Sequence, residues 1–232
     1  MSQRETWWDI ASFLVRSLLT LIAATILVLE ANGFVIDFNR LRVEKAGLLV
    51  VGAHPDGVMA LLDGKTLPLQ RGQTTKQYFP DQYELEVQKD GYQSWHHQVR
   101  IEKGHVALFT SILLFPTKLA VLTTHPVTVA ERQAPLVSAQ LRLVGTELWY
   151  RTNSGEQLIT RLSLPMTAAV LFDSSHVLYE TASGIHAIDI DGLNDQKLLA
   201  IESAVPLPLV LSDGGKTLSV VGEQTTTKYQ LQ

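Results

Sequence analysis

The sequence predicts an all-β protein carried on one N-terminal transmembrane helix, and three observations predict it. Residues 10–29 form a nearly unbroken apolar run, and about 20 such residues are enough to cross a hydrocarbon core as a helix. Residues 47–116 are short β-branched and aromatic segments separated by turns, the pattern of closely spaced strands. Residues 117–232 then repeat a strand, tight turn, strand unit three times. The expected organisation is a short cytoplasmic tail over 1–9, a spanning helix over 10–30, a juxtamembrane connector over 31–46 and two β domains over 47–116 and 117–232.

In the anchor, the run SFLVRSLLTLIAATILVL carries one charged residue, Arg16. An arginine at mid-bilayer costs roughly 2.5–3.5 kcal/mol on insertion scales. Arg16 lies about 9 Å along the axis from Ile10, close enough to the near interface for its guanidinium to snorkel toward headgroups. Trp7 and Trp8 supply an aromatic interfacial anchor before the run. Thr20 and Ala24 have the small-xxx-small spacing that lets two helices approach closely, so self-association through them is an expectation. A cleaved signal peptide is the rival reading. Against it, the run is longer than a usual signal core, Glu5 and Asp9 interrupt the basic leader, and no convincing cleavage site follows. The charges oppose export: Arg40, Arg42 and Lys45 follow the span, while only Arg4 and the amino terminus precede it, which alone places the large part inside.

Composition narrows the function classes. The formal charge of −4 comes without a lysine or arginine cluster, so nucleic acid is not an expected partner. Cysteine is absent, which excludes disulfides, thiolate metal sites and cysteine nucleophiles.

After the connector, the spacing predicts strands over 48–53, 58–62, 83–89, 94–101 and 107–114. Asp63-Gly64 is a two-residue hairpin signal, because a primed turn needs positive φ. Asp90-Gly91 repeats that device before Tyr92, and Pro55-Asp56-Gly57 turns the chain between the first two strands. Tyr83, Leu85 and Val87 alternate with Glu84, Glu86 and Gln88, giving one buried and one wet face.

These residues carry a resemblance. The stretch GLLVVGAHPDGVMALLDGKTLPL, followed by YELEVQKDGYQSWHHQVRIEKG, resembles a PEGA domain, a small β-sandwich of bacterial envelope proteins. The likeness rests on Pro55-Asp56-Gly57-Val58, where Asp56 and Val58 replace the family's Glu and Ala, and on Leu62-Asp63-Gly64-Lys65. Lys89-Asp90-Gly91-Tyr92, Trp95 and Lys103-Gly104 extend it. With the anchor, the aromatic connector and the Leu114-Phe115-Pro116 exit, the chain resembles an arrangement in which this module precedes propeller-like repeats. That resemblance implies β domains outside the cytoplasm, against the charge rule.

In 117–232, Leu143-Val144-Gly145-Thr146-Glu147-Leu148-Trp149-Tyr150 parallels the segment from Leu171 to Tyr179 and the segment from Leu211 to Leu218. Units about 30–40 residues apart resemble propeller blades. Three are too few to close a ring, so the expectation is an incomplete propeller-like array. It is either an open stack with loop-covered ends or a partial ring completed by another chain. Residues 118–130 are placed as an extra covering strand.

Catalytic motifs are missing: no GxSxG elbow, HExxH, phosphate loop or dinucleotide fingerprint occurs. Asp189-Ile190-Asp191-Gly192-Leu193-Asn194-Asp195 has acidic oxygens at alternate positions, as part of a calcium loop does. It lacks the closing bidentate Glu, and turn chemistry alone accounts for it. His96 and His97 point to opposite faces of a strand and cannot chelate together. Tyr92 and Trp95 are the possible ligand contacts, as ring platforms for a sugar, weighed against a core-packing role. Of Trp149 and Tyr150, adjacent on a strand, one is expected inward and the other outward.

No cofactor is expected, and the chain reads as non-catalytic. The leading expectation is a single-pass membrane protein whose β domains bind a cell-envelope polymer or a membrane protein partner, the bilayer being met by the helix. A sensor or accessory subunit and a membrane-bound hydrolase with an unrecognised site are the alternatives.

Overall fold

A computed structural model of the chain describes residues 3–37, 42–201, 203 and 205–232, with residues 3–10 as helix backbone. The described chain is mostly β with one N-terminal apolar helix, and its several sheets do not close on themselves. Helix α1 (Gln3–Ala31) contains neither Gly nor Pro, so nothing interrupts it. Asn32 and Gly33 end it: the Asn32 Nδ2 donates to the Val28 carbonyl at 2.7 Å, and Gly33 takes φ +78°, a left-handed residue of the kind that stops helices. The segment Ala11–Ala31 is long and apolar enough to cross a membrane, and protein buries none of it. Strands β1 (Phe34–Asp37) and β2 (Arg42–Lys45) pair as an antiparallel hairpin, within a connector whose sequence gave no strand signal.

Seven strands follow: β3 (Gly47–His54), β4 (Met59–Leu62), β5 (Lys65–Leu67), β6 (Gln73–Tyr78), β7 (Asp81–Gln88), β8 (Trp95–Ile101) and β9 (Val106–Leu113). They make a three-stranded sheet, β6-β3-β9, and a four-stranded sheet, β5-β4-β7-β8. Asp63 (φ +47°) and Gly64 (φ +72°) connect β4 to β5 with Leu62 opposite Lys65, as a primed two-residue turn requires. The expectation for Asp90-Gly91 needs correction. Only Gly91 has positive φ, the Tyr92 N–H donates to the Lys89 carbonyl, and six residues separate β7 from β8, so the turn is not a primed hairpin loop. Strands β5 and β6 were not expected, because KTL and QTTKQY offer little apolar alternation to read.

The chain forms two compact units. One comprises Met1–Val51, Gln73–Tyr83 and Gln98–Thr110, the other Gly52–Gly72, Glu84–His97 and Ser111–Gln232. In the second unit, β10 (Ala120–Pro126) and a one-turn helix, α2 (Val129–Arg132), precede β11 (Leu141–Val144), β12 (Glu147–Thr152) and β13 (Gly155–Arg161). Then come β14 (Met166–Leu171), β15 (His176–Thr181), β16 (Gly184–Asp189) and β17 (Gln196–Leu199). The last strands are β18 (Leu209–Ser212), β19 (Thr217–Val221) and β20 (Thr225–Gln230). Their sheet orders are β11-β12-β13, β14-β15-β16-β17 and β10-β20-β19-β18. Each of the three sequence repeats is an antiparallel hairpin, β11–β12, β14–β15 or β18–β19, that forms one side of its sheet. Strand β10, expected as a separate cover, instead pairs antiparallel with β20 as the edge of the last sheet.

The middle sheet is packed on both faces. Every residue of β15 is buried. Val177 and Tyr179 join one cluster with Leu141, Leu148 and Ile159, while the intervening Leu178 joins a second with Leu209, Leu218 and Leu231. The period-two alternation of a strand sends these side chains to opposite sides. The exit segment is part of the second cluster: Leu113 and Phe115 are buried in it, and Phe115 meets Phe172 edge-on with centroids 5.6 Å apart.

Gly184 opens β16 at φ +135°, and a Cβ there would lie 2.0 Å from the Leu199 carbonyl oxygen. Gly184→Ala is expected to lower stability by more than about 1 kcal/mol, since both the φ and the close backbone approach oppose a side chain. A urea midpoint unchanged within error would contradict this.

Candidate functional site

The two predicted contact residues sit on one short stretch, Lys89 to His97, and the fold assigns them different tasks. The Gly91 carbonyl accepts from the Thr117 N–H at 2.9 Å, and the Gln93 N–H donates to the Phe115 carbonyl at 2.9 Å. This stretch is therefore fastened to the exit segment before β8 begins.

Trp95 is buried, with 4% of its surface exposed. Its Nε1–H donates to Asp189 Oδ2 at 2.7 Å, and its ring lies nearly parallel to that of His97, centroids 5.5 Å apart. Three further bonds join the same stretch to the β16–β17 loop and β17. The His96 N–H donates to Asn194 Oδ1 at 3.0 Å, Gln93 Nε2 to the Lys197 carbonyl at 3.1 Å, and Gln196 Nε2 to the Ser94 carbonyl at 3.0 Å. The indole thus packs and positions, and its faces are not open to a ligand. His96 is exposed and His97 half-buried, on the opposite faces that their adjacency requires.

The loop receiving Trp95 is the Asp189 to Asp195 segment. Asp191 Oδ1 accepts from the Leu193 N–H, Asn194 takes φ +53°, and Asn194 Nδ2 donates to Asp189 Oδ2. Gly192 is required twice over: its φ is +84°, and a Cβ would lie 2.1 Å from the Ile159 carbonyl oxygen. The carboxylates are thus consumed by protein donors, and no cluster of His, Asp and Glu able to hold a metal occurs among the described residues.

Asp189 also faces a buried histidine. His176 Nε2 is 3.6 Å from Asp189 Oδ1, and its Nδ1 is 2.8 Å from Asp173 Oδ1. Burial pushes the Asp189 carboxyl above its ordinary range, against the opposing bonds from Trp95 and Asn194. At Asp173 burial acts in the same sense, but the His176 contacts and backbone N–H bonds outweigh it and hold the carboxyl low. Asp195 behaves like Asp173: burial raises it, and donation from His186 and Tyr179 brings it below the usual range. The Tyr179 hydroxyl, buried and bonded to Asp195 at 2.7 Å, is pushed well up.

Tyr92 is half-buried and lines a cavity of about 560 Å³ with Gly57, Met59, Gln88, Lys89, Asp90, Gly91 and Ser94. The Lys89 ammonium stands 5.1 Å from its ring centroid and donates to the Asp56 carbonyl at 2.6 Å. The cavity offers a ring, a cation, a carboxylate, an amide and an exposed thioether, a set suited to a neutral polar ligand.

Elsewhere, Tyr150 packs on the core cluster beside Leu141, while Trp149 lies under the Arg142 guanidinium and donates to Glu147 at 2.9 Å. Ser183 Oγ, His186 and Asp195 stand in line: 3.3 Å from Oγ to Nε2, then 3.2 Å from Nδ1 to Asp195 Oδ1. Sequence reading missed this line and the docking of Trp95, since His176 and His186 carry no motif and no local pattern pairs Trp95 with the Asp189 loop. In the anchor, Arg16, Thr20 and Ala24 are exposed, and Thr20 Oγ1 donates to the Arg16 carbonyl at 2.9 Å. The rings of Trp7 and Trp8 lie outside the described residues. No model of a known protein family matches the chain, and no curated protein matches it significantly.

Trp95→Phe removes the donor and leaves a buried carboxylate oxygen short of one bond, so a loss of about 1–3 kcal/mol is expected. Because the lost bond favours the Asp189 anion, the substitution raises an already raised carboxyl. A carboxyl raised on folding loses stability as pH rises through its folded value, so the deficit is expected to be larger at neutral pH than at about pH 4. Urea unfolding at the two pH values tests this; a pH-independent deficit would assign the effect to packing alone.

Proposed function

We propose that this chain is a single-pass membrane-anchored protein of the cell envelope. In this reading it displays non-catalytic β domains, a PEGA-like sandwich and an incomplete propeller-like array of three blades, outside the cytoplasm for binding and attachment. The observation that carries the reading is α1. Phe13, Leu19, Leu21 and Leu27 each expose over 60% of their surface, and an apolar helix left bare by its own protein needs lipid to cover it. The middle sheet, covered on both faces, supports the blade-like array. The Tyr92 cavity is the proposed contact for an envelope polymer, with Trp95 holding its floor in place. Thr20 and Ala24 lie one turn apart, a spacing that supports helix pairing.

The chain lacks cysteine, so Ser154→Cys gives a single reporter. In intact cells it is expected to react with a membrane-impermeant maleimide, in a protein that stays with the membrane on alkaline extraction and keeps Trp7 and Trp8 by mass. Loss of those residues would indicate a cleaved signal, and protection from the reagent would place the β region inside. The purified full chain should co-sediment saturably with isolated envelope polymer, and heat-unfolded protein should not. Tyr92→Ala is expected to weaken that binding at least tenfold while leaving the unfolding midpoint nearly unchanged; equal binding by this variant would remove the cavity from the reading.

A second reading, a membrane-bound hydrolase, has one observation in its favour, the Ser183, His186, Asp195 line, which has the order of nucleophile, base and orienter. Against it, the Ser183 N–H is bonded to Thr181 Oγ1 and is not free to stabilise an oxyanion. A fluorophosphonate probe is expected to leave Ser183 unlabelled; labelling that His186→Ala abolishes would favour the hydrolase.

A further inference from the structure

The unit that contains α1 exposes apolar side chains beside the end of that helix. Val43, Val106 and Leu108 are 48%, 58% and 63% exposed. Only Asn32 and Gly33 separate α1 from β1. The Gly33 carbonyl accepts from the Ala46 N–H at 2.8 Å, and the Ala46 carbonyl accepts from the Gly104 N–H at 2.9 Å. Two hydrogen bonds therefore connect the helix exit to the β8–β9 turn. Val106 begins β9 two residues beyond Gly104, and Leu108 lies about 7 Å further along the strand. The headgroup zone of a bilayer is about 5–8 Å deep on each side.

Charge in the same place suits an interface. The Lys45 side chain lies across Gly104, where a Cβ would be 3.3 Å from its Nζ. Glu44 accepts from Arg42 at 2.8 Å and stands 3.3 Å from the Lys103 ammonium, so the one carboxylate of β2 is neutralised between two cations. Lysine stems lie readily along an apolar boundary with their ammonium groups at the phosphates.

We propose that the β1–β2 hairpin, the β8–β9 turn and the start of β9 form a surface that rests in the bilayer interface, with a lipid surface as its partner. This rests on the reading of α1 as a membrane span. It makes the first unit a seated base and not a tethered float, since seating fixes its height and tilt above the membrane.

The test uses the full chain with one cysteine at a time, Leu19→Cys, Val106→Cys or Leu108→Cys, each carrying an environment-sensitive fluorophore. The proteins are reconstituted into phosphatidylcholine and phosphatidylglycerol vesicles containing either brominated acyl chains or headgroup spin labels. The Leu19 probe is expected to be quenched by the brominated chains. The Val106 probe should lose most of its emission to the headgroup labels, and the Leu108 probe less. A quenched Leu19 probe with Val106 and Leu108 both unquenched overturns the proposal and leaves the anchor standing. An unquenched Leu19 probe removes the anchor and the proposal with it. A blue-shifted but unquenched Val106 probe also overturns it, by showing a protein in place of lipid.

Discussion

The Asp189 carboxylate is the constraint on which the second unit depends. It is buried where an anion is disfavoured, and it persists because an indole N–H and an asparagine amide are aimed at one of its oxygens while a buried imidazole faces the other. The two donors come from β8 and from the β16–β17 loop, and the imidazole, 3.6 Å away, comes from the start of β15. One carboxylate at the end of β16 therefore ties the distant β8 to the β15–β16 hairpin and the loop that follows it. A buried charge kept by such bonds is weak as a source of net stability but strong as a selector of arrangement, because any other docking leaves it unpaired.

Around this fixed point the apolar energy is distributed by a simple device. The segment from His176 to Thr181 is buried along its whole length, with alternate residues delivered to two different clusters. A sheet covered on both faces cannot read as amphipathic, and HVLYET does not. The neighbouring sheets each supply one face to it, and Phe115 brings the exit segment into the same interior. Leu113 and Phe115 of the exit segment are thus part of that core.

The proposed function draws on both levels. The bare apolar helix and the seated hairpin concern the membrane; the Tyr92 cavity concerns a ligand. Trp95 serves the second indirectly, since its bond to Asp189 holds the stretch from which Tyr92 projects.

Much of the local structure was legible because it follows from residue type. The apolar helix α1, the Asp63-Gly64 turn, the alternation from Tyr83 to Val87 and the three repeat hairpins each obey a short-range rule of composition, periodicity or positive φ. Strands β5 and β6, the β1–β2 hairpin and the pairing of β10 with β20 were not legible, because their residues pair with partners that no local pattern names. The same division holds for the candidate site. The sequence by itself determined that Trp95 and Tyr92 are large rings near a glycine turn and that Asp189 to Asp195 is a turn rich in acceptors. Only the tertiary structure decided that one ring is buried against that turn while the other faces a cavity. The reason is physical: burial and hydrogen-bond partnership depend on which surfaces meet, and the residues that meet here lie about a hundred positions apart.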